Sequence, residues 1–150
     1  MWSKGRRFWA TPAKRKVLLI EALCVLLGAW IAMRLIPFRT IAAWLGEAGG
    51  ESPQQEAEVD LLTAREIGWA VQAIARRVPW DSRCLAQALA GTFMLRRRGL
   101  EGTVSFGAAR DEKSAFTAHA WLRFGPLMVT GGPGHQRFQL FTTFSRWARD

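Results

Sequence analysis

The sequence predicts an α+β fold in which helices come first and an antiparallel sheet follows. Two observations carry this. Up to Gly99, apolar residues recur at helical spacing in segments bounded by proline, glycine and cap residues. After Gly102 the period becomes strand-like, in short runs separated by Gly-Pro and Gly-Gly turns. The 150 residues suffice for one compact domain with a short helical extension, large enough to fold without disulfides.

Residues 1–11 read as a basic arm that also carries Trp2, Phe8 and Trp9. Pro12 suits a first helical turn, where its missing N–H is not needed, and Pro37 ends that helix after about Ile36. A shorter helix over 38–45 stops at Gly46. Residues 46–58 hold three glycines, a proline and four glutamates, and read as a linker. The expected division is therefore 1–58, an arm with a helical region and linker, and 59–150, the core.

Thr63-Ala64-Arg65-Glu66 has the form of a capping box. Ile67, Ala70, Val71, Ile74 and Val78 follow at helical spacing, Arg76 and Arg77 suit a last turn, and Pro79 closes the helix. The next helix starts after Trp80, with Asp81 or Ser82 as N-cap. Its apolar positions include Leu85, Ala88, Leu89, Phe93 and Leu95, and Gly99 fits a left-handed C-terminal cap. Strands are expected over 103–109, 117–124, 127–130 and 138–144, with a polar turn at 110–114.

Lys and Arg number 21 against 12 Asp and Glu, and eight of the basic residues fall in the first fifty. Such a cluster can hold an anionic lipid surface, an acidic peptide or nucleic acid. No nucleic-acid module accompanies it, so no nucleic-acid partner is expected. Residues 17–33 are almost wholly apolar, like a short span or a signal sequence, but include Glu21. A carboxylate in a lone span is costly, which favours a soluble helix or a membrane-surface helix that makes contact through residues 1–36. Two cysteines in different surroundings indicate a reducing compartment, hence a cytoplasmic protein, with membrane association as the alternative.

Cys84 is expected at about the third position of its helix, where unpaired N–H groups and the dipole favour a thiolate. Cys24 lies mid-helix among Leu23, Val25 and Leu26 and reads as core. Of the two histidines, His119 stands mid-strand between two alanines, a setting that lets a reacting group approach. His135, in a glycine-rich loop, reads as a surface residue. Two histidines and two scattered cysteines give no metal-ligand spacing, and Gly131-Gly132-Pro133-Gly134 lacks the lysine of a P-loop, so no cofactor is expected.

The run from Pro79-Trp80-Asp81-Ser82-Arg83-Cys84 to Leu89, then Leu95-Arg96-Arg97-Arg98-Gly99, Phe106-Gly107 and Ala118-His119-Ala120-Trp121-Leu122 resembles the lasso peptide biosynthesis B2 proteins. These are transglutaminase-like leader peptidases. The resemblance covers about residues 62–144, and Leu35-Ile36-Pro37-Phe38-Arg39 extends it towards the N-terminus. It implies a papain-like core, a nucleophile-bearing helix packed on an antiparallel sheet that bears the histidine. Cys84 matches the family nucleophile and His119 the base. The family's usual third member is an aspartate shortly after the histidine strand, where this chain has Val129-Thr130-Gly131-Gly132. A backbone carbonyl near Gly131, a water or a distant Asp are the substitutes open to it.

The implied function is a cysteine peptidase that removes the leader from a lasso peptide precursor. The alternatives are a catalytically inactive peptide-docking module and an amide-forming acyl transferase. Gln87, one helical turn beyond Cys84, and Trp80 are candidates for oxyanion or substrate contacts. The implied partners are the precursor peptide, a separate leader-recognition protein and an ATP-dependent lasso cyclase.

Overall fold

A computed structural model describes residues 13–80, 83–110, 113 and 115–147. Four helices come first: α1 (Ala13–Leu35), α2 (Phe38–Leu45), α3 (Glu58–Ala75) and α4 (Cys84–Arg96). The strands are β1 (Glu47–Ala48), β2 (Thr103–Arg110), β3 (Phe116–Phe124), β4 (Leu127–Thr130) and β5 (Gln139–Ser145). They form one antiparallel sheet in the order β1-β5-β2-β3-β4. The α+β class and the helices-then-sheet order expected above are what the chain adopts.

The core lies between the helices and one face of the sheet. Along β3, Ala120, Leu122 and Phe124 alternate into it and meet Ala86, Leu89, Ala90 and Leu95 of α4 together with Ile67 and Val71 of α3. Gly91 and Gly68 let the helices press onto the sheet. A Cβ at Gly91 would stand 2.7 Å from the Leu122 side chain, and one at Gly68 2.5 Å from the Val129 carbonyl oxygen. The end of α4 is held by Arg96, which binds Glu101 at 2.9 Å and the carbonyls of Trp44 and Leu45. Gly99 has φ +74°, and the Leu100 N–H returns to the Leu95 carbonyl at 3.0 Å, the left-handed cap expected there.

Three local expectations are corrected. The helix assigned to start at Thr63 starts at Glu58, and the Thr63 hydroxyl donates to the Val59 carbonyl inside it. Glu58 and Asp60 supply the negative charge that suits its N-terminus. It also ends earlier, at Ala75, with Arg76 as C-cap. Residues 46–58, read as a linker, carry β1, whose Glu47 pairs with Ser145 at the far end of the chain. Ser52 is buried and hydrogen-bonded to Thr103 at 2.8 Å, and Arg123 donates to the carbonyls of Ser52 and Pro53. Cys24, read as core, is exposed. α1 buries the stripe Leu18, Ala22, Leu26 and Ala29 against α3 and α4, which turns Cys24 outward.

Glu21 explains how an apolar helix tolerates a carboxylate. It takes Arg98 at 2.7 Å and Arg97 at 2.9 Å, so α1 is fastened to the C-terminal end of α4. The Arg98 hydrogen bond chiefly holds the Glu21 carboxyl below its ordinary value, against burial, which raises it. A depressed carboxylate stabilises the fold above its unfolded pKa, about 4.3, and that contribution is lost as pH falls through the folded value. The expected result is that Glu21→Gln destabilises the protein at neutral pH and flattens the loss of stability below about pH 4. Urea titrations followed by circular dichroism across that range check it, and parallel wild-type and variant curves would contradict the assignment.

Candidate active site

Cys84 is the first residue of α4, with Arg83 at the N-cap. The expected caps, Asp81 and Ser82, lie outside the described residues, and the thiol stands nearer the helix start than the third position foreseen for it. The first intrahelical bond runs from the Gln87 N–H to the Arg83 carbonyl at 3.1 Å. The N–H groups of Cys84, Leu85 and Ala86 are thus the orphan donors of this helix terminus. Cys84 is half-buried, packed against the apolar core, and forms no disulfide.

His119 lies on β3, at the end of that strand that matches the start of α4. Gly91 of α4 touches Leu122, and Leu95 with Gly102 marks the other end of α4 beside Leu122 and Arg123. Helix and strand therefore run in the same direction. Cys84 is about 10 Å back from Gly91 along the helix, and His119 about 10 Å back from Leu122 along the strand. Both stand at the same end of the packed pair.

Side-chain alternation puts His119 and Trp121 on the sheet face opposite Ala120 and Leu122. No hydrogen bond joins Cys84 to His119 among the described residues. The imidazole is instead held from three sides. Its ring stacks on Phe138 at 4.8 Å and on Trp121 at 5.8 Å. Its Nε2 lies 2.8 Å from the Gly131 carbonyl oxygen. A carbonyl only accepts, so Nε2 carries the proton and Nδ1 keeps the lone pair in the neutral ring.

Gly131 itself is constrained. It has φ +69°, and a Cβ there would come within 2.6 Å of the Ala120 carbonyl oxygen and 3.0 Å of the Trp121 Cβ. The loop after β4 folds back over the histidine face of the sheet. His135 is half-buried in that loop rather than on the open surface, 5.6 Å from Trp121, with its Nδ1 2.7 Å from the Gly132 carbonyl oxygen. Trp80 packs on Trp30 of α1 at 6.2 Å, and its indole N–H is buried with no hydrogen-bond partner among the described residues. Gln87 is half-buried, three residues beyond Cys84 and so on the same helix face.

Sequence reasoning missed the stacking role of Phe138 and left the Gly131 carbonyl open among other acceptors. The glycine pair after β4 was its only signal, because every residue carries a carbonyl and only the fold aims one.

Helices layered on one face of an antiparallel sheet, with a thiol at a helix N-terminus and a buttressed histidine on an interior strand, describe a transglutaminase-like fold. The chain belongs to the transglutaminase-like superfamily, whose family model matches residues 32–143. That superfamily includes cysteine peptidases and acyltransferases. No curated protein and no solved structure matches the chain.

Proposed function

We propose that this chain is a cysteine peptidase that removes the leader from a lasso peptide precursor, with Cys84 as nucleophile and His119 as base. The observation that supports it best is the setting of the two residues: a thiol at the first position of α4, and at the same end of the sheet a histidine whose Nε2 is tied to a main-chain carbonyl. The particular substrate rests on the resemblance of the segments around Cys84 and His119 to the lasso B2 proteins.

In this reading Nδ1 of His119 takes the Cys84 proton. The Cys84 thiolate attacks the scissile carbonyl, and the imidazolium protonates the departing amine. Water then hydrolyses the thioester, with His119 as base. The oxyanion is met by the orphan N–H of Cys84, with the Trp80 indole N–H and the Gln87 amide as further donors. This route requires the Cys84 thiol and the His119 ring, which face opposite sides of the sheet, to meet at the end that α4 and β3 share. A separate leader-recognition protein delivers the precursor, and an ATP-dependent cyclase consumes the freed core peptide.

Incubation with the precursor and the leader-recognition protein, read by mass spectrometry, tests the proposal. Two fragments whose masses sum to precursor plus one water are expected. An amine adduct at the same carbonyl would mark an acyl transferase, and an intact but bound precursor a docking module. His119→Ala is expected to lower the cleavage rate by about 10²–10⁴-fold, while leader binding stays unchanged in a pull-down.

A further inference from the structure

α1 is apolar on every side, yet the fold uses only part of it. Its most apolar window has a mean hydropathy of 2.1, and 22% of that window is buried. The inward stripe Leu18, Ala22, Leu26 and Ala29 is committed to the core. The outward stripe, Val17, Ile20, Leu27, Ile31 and Leu35, recurs at helical spacing and is exposed, up to 77% at Leu35. Beside it runs an apolar groove of about 840 Å³ between α1, α2 and α4, lined by Ile20, Cys24, Gly28, Ile36 and Phe93.

The charges that α1 and α2 themselves carry beside this strip are positive apart from one. Glu21 is the only acidic residue between Ala13 and Leu45, and it is turned inward onto Arg97 and Arg98. Lys14, Arg15 and Lys16 lie at one end of the strip, and Arg34 and Arg39 at the other. Arg39 is exposed, Lys14 is exposed and 3.8 Å from the Glu66 carboxylate of α3, and the Arg34 guanidinium lies over Trp30 at 4.5 Å, an aromatic-cation pair suited to a headgroup layer. An apolar strip whose own helices, α1 and α2, carry cations at both ends and no outward carboxylate complements anionic lipid.

We propose that the outer face of α1 seats the protein on an anionic bilayer, lying in its surface rather than crossing it. To cross, α1 would have to leave α3 and α4, uncover their core residues and carry Glu21 into hydrocarbon without its arginines. This inference stands on α1 and the cations that flank it and does not depend on the peptidase reading.

The test is flotation of the full chain with vesicles of phosphatidylcholine alone or mixed with phosphatidylglycerol. Binding to the mixed vesicles is expected, at least about tenfold weaker on the neutral ones or in high salt, and reversible in alkaline carbonate. The exposed pair Ile20→Glu and Ile31→Glu is expected to lower binding about tenfold or more with an unchanged circular dichroism spectrum. Arg34→Gln with Arg39→Gln, which leaves the apolar strip intact, is expected to weaken it on the mixed vesicles only. Failure to bind either vesicle, equal binding by all variants, or resistance to carbonate overturns the proposal. So does a lipid-free dimer that the Ile20 and Ile31 changes dissolve, since a second copy would then be the occupant.

Discussion

Cys84→Ala is expected to abolish leader cleavage, a fall of about 10⁴-fold or more, and to leave the protein folded. Removing a nucleophile eliminates the covalent route entirely, and the catalysis that remains comes only from binding and oxyanion donors. The fold tolerates the change because Cys84 is half-buried at a helix start, where alanine keeps the helix and loses one sulfur contact with the core. Mass spectrometry of the precursor and thermal denaturation of the variant give the two readouts. Cleavage that persists in a well-folded Cys84→Ala protein would remove Cys84 from the mechanism. The exposed Cys24 supplies the control, since Cys24→Ala is expected to cleave like the wild type.

Gly131→Ala is expected to be the second most damaging change. The added Cβ would lie 2.6 Å from the Ala120 carbonyl oxygen in a backbone conformation at φ +69°, so the loop has to move. Strain of this kind costs about 1–3 kcal/mol. The same movement carries the Gly131 carbonyl away from His119 Nε2. A displacement near 1 Å at a reacting group lowers turnover by roughly 10²-fold. Nitrogen-15 chemical shifts of His119 separate this from simple loss of stability. The wild type is expected to hold the proton on Nε2, and Gly131→Ala to populate the other tautomer. Wild-type turnover together with an unchanged tautomer in the variant would show that the carbonyl does not position the ring.

Much of this site was legible before folding was considered. Cys84 and His119 stood out because a thiol after a helix-start signal and a histidine between alanines on a strand are unusual surroundings. α2 and β4 run over the predicted residues because Pro37, Gly46, Pro126 and Gly131 bracket them with backbone constraints that act locally. The capping box at Thr63 misled because its four residues also fit a helix interior, where the hydroxyl bonds back to Val59. Cys24 misled because α1 is apolar all round, so composition could not say which side would be covered.

What the sequence by itself determined, then, is the α+β order, the punctuation of the elements and the two side chains proposed to react, all of which depend on neighbours within a few residues. Tertiary structure decided the rest. β1 joins β5 across nearly a hundred residues, α1 turns one stripe inward and locks Glu21 onto Arg97 and Arg98, and the loop after β4 brings a main-chain carbonyl to His119. Each of these depends on groups distant in the chain. The carbonyl is carried by every residue alike, so only its placement in space could distinguish it.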